Sequence, residues 1–385
     1  MTKKSKVFSF SFVLLIVACF LTVGYFGNQF LWTGTSKDST EILFDVAPGQ
    51  SLNVVVENLL YNGLIRNAKV FSMYARFKKM DSKLKVGEYS LNHTMNADQI
   101  LATLASGKSV TRNFTIAEGI SIFDIADIFE KAGYGTKAEF FNLVRDKAFI
   151  KSLLNEDLES LEGYLFPETY KITKFETMKS IVTQMVKRFL VVWSKYENTA
   201  KLQNLTRNQV VTFASIVEKE SGLGADRPVV ASVFHNRLAQ KIKLQTDPTV
   251  LYGVALLKGQ MPNNITKADL VTPTRYNSYT NYGLPPTPIS NPGEESIKAV
   301  LFPANTKYLF FVSRNDGTTQ FSETLAAHNL AVKNFQLNPK ARDGKSWRDL
   351  KKTTGAPNAK PTTMPSSITS PASKATPPSA DKVKK

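Results

Sequence analysis

Cysteine and histidine are scarce in this sequence. Its 385 residues contain one cysteine, Cys19, and three histidines, His93, His235 and His328. A single cysteine excludes an intrachain disulfide, and its position in the N-terminal apolar segment leaves the rest of the chain without a thiol nucleophile or a cysteine-ligated zinc site. No two histidines have the helical or strand spacing of a zinc site, so we predict no metal and no cofactor.

The usual signatures of serine hydrolases and nucleotide-binding proteins are also missing. The chain has no G-x-S-x-G elbow and no glycine-rich phosphate loop. It has no helix-turn-helix or zinc-finger pattern either. The chemistry of this protein must therefore come from other side chains.

Positive charge, by contrast, is abundant, and the net charge is +17. Residues 340–385 hold eleven Lys or Arg and three Asp, and three more lysines precede residue 7. A net charge of +6 is left for the other residues, which number more than three hundred. No compact basic patch with interleaved aromatic residues is evident among them. Basic tails that attract an anionic surface explain this distribution, and nucleic acid is not a predicted partner.

The N-terminus carries one long apolar run. Residues 1–6 are polar and basic, and residues 7–27 are long enough to span the roughly 30 Å hydrocarbon core as a helix. Lysines before the run and no comparable cluster directly after it predict a cytoplasmic N-terminus and an external body. A cleaved signal peptide is one alternative, and a lipoprotein processed at Cys19, after Ile16-Val17-Ala18, is another.

A small module is predicted after a polar linker at 28–40. Ile42–Val46 and 86–91 have the pattern of strands, and two helices lie between them, one beginning at Ser51 and one at about 68–80. A third helix runs from about residue 95 to Gly107. The residues predicted to be buried on the first two helices are Val54, Val55, Leu59, Leu60, Val70, Phe71, Tyr74 and Phe77. This βααβ order over 41–112 resembles a LysM-like module, a type that recognises N-acetylated glycans.

A larger α+β domain is predicted at 113–338. Residues 114–145 have the pattern of a strand and two helices, Thr206 and Gln209 have the spacing of a capping box, and Leu309–Val312 is predicted as a buried strand. The Lys-, Pro- and Ser-rich segment 339–385 has almost no large apolar residue, so it is predicted to be disordered. The fold class is thus α+β, with a single transmembrane helix, a small module and a larger catalytic domain.

Glu218 is the leading candidate for a catalytic acid. It lies near the C-terminal end of a predicted helix, beside the apolar stripe that contains Ala214 and Val217. Burial and the negative end of the helix dipole both favour a protonated carboxyl there. Neither Glu218 nor Glu220 has a basic residue four positions away. A solvated acid on an amphipathic helix is the plain alternative.

Aromatic and amide side chains are concentrated in six segments, three of which contain proline, as is typical of a groove that binds sugars. These segments are Glu162–Tyr170, Phe234–Leu238, Leu244–Thr249, Tyr276–Thr280, Gly283–Gly293 and Phe321–Asn329.

Together these segments resemble the YceG-like endolytic murein transglycosylase family over about residues 41–335. The resemblance implies that Glu218 is the catalytic glutamate and that peptidoglycan glycan strands are the substrate. It further implies cleavage of the β-1,4 bond between N-acetylmuramic acid and N-acetylglucosamine, anchoring in the plasma (inner) membrane, and association with peptidoglycan synthases. The family resemblance predicts nothing for the tail at 339–385.

The chemistry implied by this resemblance needs one acid. Glu218 donates a proton to the glycosidic oxygen and then accepts one from the C6 hydroxyl of the muramic acid, which closes a 1,6-anhydro ring. Glu220 and Glu168 are assigned supporting roles, and a two-carboxylate hydrolase using Glu168, Glu220 or Asp247 is an alternative. A non-catalytic, membrane-anchored glycan-binding or scaffold protein is another. The residues expected to position the substrate or shape its site are Gln245, Asp247, Tyr252, Asn277, Tyr279, Asn236 and Arg237.

Overall fold

The computed structural model describes residues 14–18, 21–22, 24–25, 27–222 and 224–338. The predicted cytoplasmic N-terminus, about half of the predicted anchor 7–27 and the tail 339–385 lie outside these residues. Within the described ranges, no helix combines the length and the apolar character needed to cross a membrane.

The first folded unit has the βααβ order expected from the sequence. Its two strands pair antiparallel, with Ile42 opposite Leu91 and Val46 opposite Gly87. A third helix follows, with a capping box between Asn96 and Gln99. The elements are β1 Ile42–Val46, α1 Leu52–Tyr61, α2 Ala68–Phe77, β2 Gly87–Leu91 and α3 Ala97–Ser106. The likeness to a LysM module stays a prediction.

Two of the predicted buried stripes are partly wrong. On α1 the buried residues are Val55, Val56 and Leu59, whereas Val54 and Leu60 are largely exposed. Each residue turns the helix by about 100°, so a neighbour of a buried residue can face solvent. On α2, Val70 is only half-buried and the core is formed by Phe71, Tyr74 and Ala75. Phe77 is 82% exposed.

The second unit is mainly helical, with two further antiparallel strand pairs, β3 with β4 and β5 with β6. Together with the first unit this confirms the α+β class. Its elements are β3 Thr111–Thr115, α4 Ile122–Lys131, α5 Lys137–Arg145, α6 Lys147–Leu154, β4 Thr169–Thr173, α7 Met178–Trp193, α8 Glu197–Leu202, α9 Arg207–Glu220, α10 Arg227–Ala239, α11 Asp247–Lys258, α12 Lys267–Val271, α13 Glu294–Leu301, β5 Phe310–Ser313, β6 Thr319–Ser322 and α14 Leu325–Val332.

Helix α9 is the centre of the second unit. The predicted capping box of Thr206 and Gln209 is present, and all residues from 210 to 217 are buried. The helix packs against α10, α11 and α13 and ends at Glu220. The buried helix therefore brings Glu218 and Glu220 to its C-terminal end, where the surrounding segments meet.

The strand predicted at Leu309–Val312 begins at Phe310, and its side chains are half-buried rather than buried. The reason is its place in a two-stranded sheet that α10 and α14 cover only in part.

Candidate active site

A cavity of about 460 Å³ lies at the C-terminal end of α9. It is bounded by the ends of several elements rather than by one face of a sheet, and acidic, amide and aromatic side chains all contribute to it. Its lining includes Glu220, Arg237, Gln245, Asp247, Tyr279, Phe310, His328 and Asn329. Seven residues are predicted to bind the substrate or to shape its site. Four of them, Arg237, Gln245, Asp247 and Tyr279, line this cavity together with Glu220.

Glu220 is the carboxylic acid at the inner wall of the cavity. Its side chain is half-buried, and one carboxylate oxygen accepts a hydrogen bond from the Thr246 hydroxyl. Burial raises the pKa of Glu220 to about 6, and the nearby negative charge of Asp247 acts in the same direction. Arg237 and Lys219 oppose this shift. A group with this pKa can exchange protons near neutral pH.

The segment that faces Glu220 is held rigidly. Gln245 adopts a left-handed backbone conformation with φ of 51°, and its backbone N–H donates to the Ser278 carbonyl at 3.2 Å. The amide of Thr246 donates to the Ser278 hydroxyl at 2.9 Å, and that hydroxyl also lies 2.8 Å from Thr249 Oγ1. These bonds fix the chain that supplies Asp247 at the start of α11.

Asp247 and Tyr279 form a polar pair at the cavity mouth. The Tyr279 hydroxyl donates to Asp247 Oδ1 at 2.7 Å. Burial and this hydrogen bond to a carboxylate both raise the pKa of Tyr279 well above its ordinary value, so the phenol stays protonated and remains a donor. The pair therefore presents one fixed carboxylate to the cavity beside Glu220.

Arg237 and Asn236 brace the opposite wall. The Arg237 guanidinium donates to the carbonyls of Leu309 and Leu244 at 2.6 and 2.9 Å. It also lies 5.0 Å from the centre of the Phe310 ring. Asn236 Nδ2 donates to two carbonyls of the segment before β5, at 2.9 and 3.0 Å. Both side chains therefore hold the segment that leads into β5, and their predicted part in shaping a substrate site stays a prediction.

Glu218 has different surroundings. Only 6% of its side chain is exposed, and it does not line the cavity. Arg227 Nη2 donates to its Oε1 at 2.9 Å. The Ser296 hydroxyl and the Gly293 amide donate to its Oε2 at 2.7 and 3.1 Å. Glu218 therefore has a cationic partner, Arg227 at the start of α10, which lies nine residues along the chain and so outside the spacing of ion pairs within one helix.

A second carboxylate shares this arginine. Glu118 Oε2 lies 3.3 Å from Arg227 Nη2, and burial and the charge of Glu218 raise the pKa of Glu118. A Cβ at Gly293 would collide with the Glu118 carboxylate, so only glycine allows this close approach. These contacts tie the turn after β3 to α9, α10 and α13.

Comparison with known proteins agrees with these features. The sequence profile of the YceG-like family matches residues 44–334. This chain belongs to the YceG-like family. An endolytic murein transglycosylase of Bacillus subtilis (strain 168) is 32% identical over 337 residues, which cover 84% of this chain and 91% of that protein. The family resemblance inferred from the sequence motifs is therefore confirmed.

Two further relatives extend the comparison. An endolytic murein transglycosylase of Streptococcus pneumoniae is 30% identical over 362 residues, covering 85% of this chain and 65% of that protein. A crystal structure of a yceG-like protein from Listeria monocytogenes matches with a TM-score of 0.53 and 35% identity. The structural match covers 76% of this chain and 99% of that one.

Three residues predicted for the site of this YceG-like chain lie elsewhere. Tyr252 is 2% exposed and packs in the core against Phe123 and Tyr276, so it cannot touch a substrate. Asn277 is fully buried, and its amide binds backbone groups of its own loop. Glu168 is paired with Arg188 at 2.6 Å away from the cavity lining. Loop polarity alone could not distinguish these structural roles from binding.

Three further cavity residues were not among the predicted site residues, although His328 and Asn329 belong to the predicted groove segment Phe321–Asn329. His328 and Asn329 come from α14, and Phe310 comes from β5. The His328 ring stacks on Phe310 with 5.2 Å between ring centres. Burial lowers the pKa of His328, which keeps the imidazole neutral at neutral pH. The Ala327-His328-Asn329 motif was visible in the sequence, but nothing in its spacing linked it to α9.

A second cavity of about 560 Å³ lies next to the first one. The two cavities share Pro248 in their lining, and Lys219 of α9 contributes to the second. Its other lining residues include Asp124, Asp127, Lys137, Phe141, Met261 and Asn263. Open space is therefore present on both sides of the segment that carries Asp247 and Pro248.

Proposed function

We propose that this chain is an endolytic peptidoglycan lytic transglycosylase. It cleaves the β-1,4 bond between N-acetylmuramic acid and N-acetylglucosamine and leaves 1,6-anhydro ends. Membership of the YceG-like family, and relatives named endolytic murein transglycosylases, support the substrate class. The observation that carries the chemistry is Glu220, an acid with a pKa of about 6 in the wall of an open cavity.

We assign the proton donor to Glu220, whereas the sequence pattern favoured its neighbour Glu218. Both oxygens of Glu218 accept hydrogen bonds from inside the protein, from Arg227, Ser296 and Gly293, and the side chain does not line the cavity. Glu220 lines the cavity and carries a raised pKa. In this assignment Glu218 holds α9, α10 and α13 in place.

The reaction proceeds through one acid that later acts as a base. Protonated Glu220 donates to the glycosidic oxygen as the bond to C1 of the muramic acid breaks. Asp247 stabilises the positive charge that builds at C1. The C6 hydroxyl then attacks C1, and its proton goes to the Glu220 carboxylate. No water is consumed, and the enzyme regains its starting protonation state.

Cleavage within a strand requires that the substrate can extend past the acid in both directions. The two cavities that share Pro248 support this arrangement, because sugars on either side of the scissile bond can lie in open space. Aromatic Phe310 and Phe141 lie in one cavity each, where they can pack on the C–H faces of sugar rings.

The cellular setting follows from the sequence of the N-terminus. The apolar run 7–27 anchors the chain once in the plasma membrane, with residues 1–6 in the cytoplasm and the catalytic unit outside. The βααβ unit binds glycan as a LysM-like module. An enzyme held in this way next to a peptidoglycan synthase cuts new strands as they emerge and so limits their length.

The test compares Glu220→Gln with Glu218→Gln on purified glycan strands, and mass spectrometry identifies the products. We expect Glu220→Gln to lower the release of anhydro-ended fragments by at least about a hundredfold, because an amide cannot donate the catalytic proton. Glu218→Gln should retain measurable activity in whatever fraction stays folded, as judged by circular dichroism. The two variants are matched because they lie two residues apart in one helix.

Three results would contradict the proposal. Loss of activity in well-folded Glu218→Gln together with an active Glu220→Gln would return the acid to Glu218. Products heavier by one water would identify a two-carboxylate hydrolase that uses Glu220 with Asp247. Binding to insoluble peptidoglycan without soluble products would indicate the scaffold protein.

A further inference from the structure

The basic charge outside the two tails is not evenly spread. Residues 66–85 contain seven Lys or Arg and one Asp, a net charge of +6, interleaved with Phe71, Tyr74 and Phe77. This segment includes α2. The prediction from the sequence that the body of the chain lacks a compact basic patch is therefore wrong. The structure places much of this charge on one side of a helix.

Four residues of α2 share its solvent-facing side. At about 100° per residue, Lys69, Met73, Arg76 and Phe77 fall within an arc of about 100°, opposite the buried residues of the helix. Met73 is 69% exposed and Phe77 is 82% exposed. With exposed Lys79, which follows the helix, we call these residues the α2 face. Two large apolar side chains lie there between cations.

The cations of this face have no acidic partner among the described residues. Lys78, next to the face, is paired with Asp98 at 3.1 Å. Lys69, Arg76 and Lys79 form no ion pair within the part of the chain that the structure describes. A surface of free cations with exposed apolar side chains is suited to the headgroup region of an anionic bilayer, where both features are satisfied.

The position of the face relative to the membrane is restricted by the segment that follows the apolar run. Residues 28–32 form a short π-helix that packs against α2 and α3, and Leu31 packs on the core of the unit. Arg66 donates to the Gly34 carbonyl at 2.7 Å and to the Thr33 hydroxyl at 2.8 Å. A Cβ on Gly34 would lie 2.5 Å from the backbone oxygens of His93 and Thr94, so the backbone at Gly34 lies directly against this part of the unit.

The chain that leaves the membrane is therefore clamped to the βααβ unit next to the start of α2. A flexible tether would let this unit drift away from the bilayer, but this contact holds it close. Trp32, 54% exposed, lies in the same segment and is a residue type enriched at membrane interfaces.

We propose that the α2 face lies on the anionic outer surface of the bilayer in which residues 7–27 are anchored. The inference rests on the anchoring included in the proposed function. The contact fixes the orientation of the βααβ unit and, through it, the side from which the catalytic cavity meets the glycan. The same face could contact an acidic glycan polymer, but a sugar groove would not need Met73 and Phe77 on a convex helix surface.

The test uses the full chain with Cys19→Ser and one new cysteine, Met73→Cys, that carries an environment-sensitive fluorophore. The protein is placed in nanodiscs of phosphatidylcholine alone or mixed with phosphatidylglycerol. We expect a blue-shifted emission and quenching by spin-labelled lipid in the anionic discs. Arg76→Glu with Lys79→Glu should lower the quenching at least fivefold, whereas the charge-matched pair Lys151→Glu and Lys201→Glu should not change it.

A label at Leu202→Cys, exposed in the second unit, is the positional control and should not be quenched. Equal emission from Met73→Cys in both kinds of disc, or displacement of its signal by soluble glycan strands, would overturn the inference. Failure of the chain to stay in discs would overturn the anchoring and the inference together. Cleavage of soluble strands by the Arg76→Glu, Lys79→Glu variant should be unchanged, so the enzymatic proposal is tested separately.

Discussion

At the scale of single residues, the surroundings of a carboxyl group decide its chemical role. Glu218 and Glu220 are two positions apart on α9, yet one is surrounded by donors and the other lies against a cavity. Burial and the charge of Asp247 raise the pKa of Glu220, while Arg237 and Lys219 limit the shift. The hydrogen bond from Thr246 also opposes the shift, so the pKa of Glu220 results from burial working against this bond and the nearby cations.

Replacing Asp247 should move the pH profile of the enzyme. In the proposed mechanism the active form has protonated Glu220, so activity is expected to fall as pH rises through about 6, the pKa of that group. Asp247→Asn removes a negative charge that raises this pKa, so the descending limb should shift to lower pH, and activity should fall about two- to tenfold more at pH 7 than at pH 5. Loss of the charge stabilisation at C1 lowers the whole curve without moving the limb. The measurement is kcat/KM against pH, since a purely structural effect would lower the whole curve.

Tyr279→Phe is the control for this prediction. It removes the hydrogen bond to Asp247 but keeps the carboxylate charge. It should therefore shift the descending limb of the pH profile less than Asp247→Asn does. An unchanged limb in Asp247→Asn would show that Asp247 does not act on Glu220.

The sequence could predict the helix that carries the acid but not which acid faces the substrate. The capping box at Thr206 and the apolar run of α9 are local signals, and both are present in the structure. The partners of Glu218 and Glu220, Arg227 and Thr246, come from other elements. Their approach depends on tertiary packing, which helical spacing does not contain.

At the scale of elements, one buried asparagine joins the loops beneath the site. Asn291 is fully buried, and its Oδ1 accepts from the amides of Gly163 and Leu165, both at 2.9 Å. Its Nδ2 donates to the Ile120 carbonyl at 3.0 Å and to Glu162 at 2.9 Å. All of its hydrogen-bonding capacity is used, and three segments distant in sequence are held together.

Asn291→Ala should destabilise the second unit strongly. The buried amides of Gly163 and Leu165 and the buried carboxylate of Glu162 would each lose a hydrogen bond. Each such loss is costly, so we expect the free energy of unfolding to fall by about 3 kcal/mol. Denaturant unfolding measures the change. Asn142→Ala, an exposed position on α5, is the control and should differ from wild type by less than about 0.5 kcal/mol. Similar stabilities for the two variants would mean that water replaces the lost bonds.

The elements also show where sequence patterns reach their limit. The bounds of β1 agree with the prediction, because a short apolar run between turn residues is a local feature. The inward face of α2 was not predicted well, since Phe77 has the apolar character of a core residue but lies outside the arc that packs against α1 and residues 28–32. Which side of a helix is covered depends on its partners, and so does the role of exposed Phe77.

At the scale of the whole molecule, two apolar cores are joined by a small charged cluster. One core lies within residues 44–104 and the other within 114–301. Glu88 of β2, with 4% of its side chain exposed, is paired with Arg112 of β3 at 2.6 Å and with Lys174 at 3.5 Å. Lys174 also reaches Asp45 of β1 at 2.5 Å. Strands of both units therefore share one buried carboxylate.

Arg112→Met should uncouple the two units. The substitution keeps much of the side-chain volume but leaves the buried Glu88 carboxylate with Lys174 as its remaining cation, and breaking a buried ion pair is costly. Because Arg112 is half-exposed, we expect a loss of about 2 kcal/mol, less than for a fully buried pair. Calorimetry should show the unit of residues 44–104 melting earlier, as a separate transition.

Lys151→Met, which breaks an exposed pair with Asp157, is the matched control and should leave the profile unchanged. A single unshifted transition in Arg112→Met would mean that apolar contacts alone couple the units, so that the orientation of the catalytic cavity would not depend on this cluster.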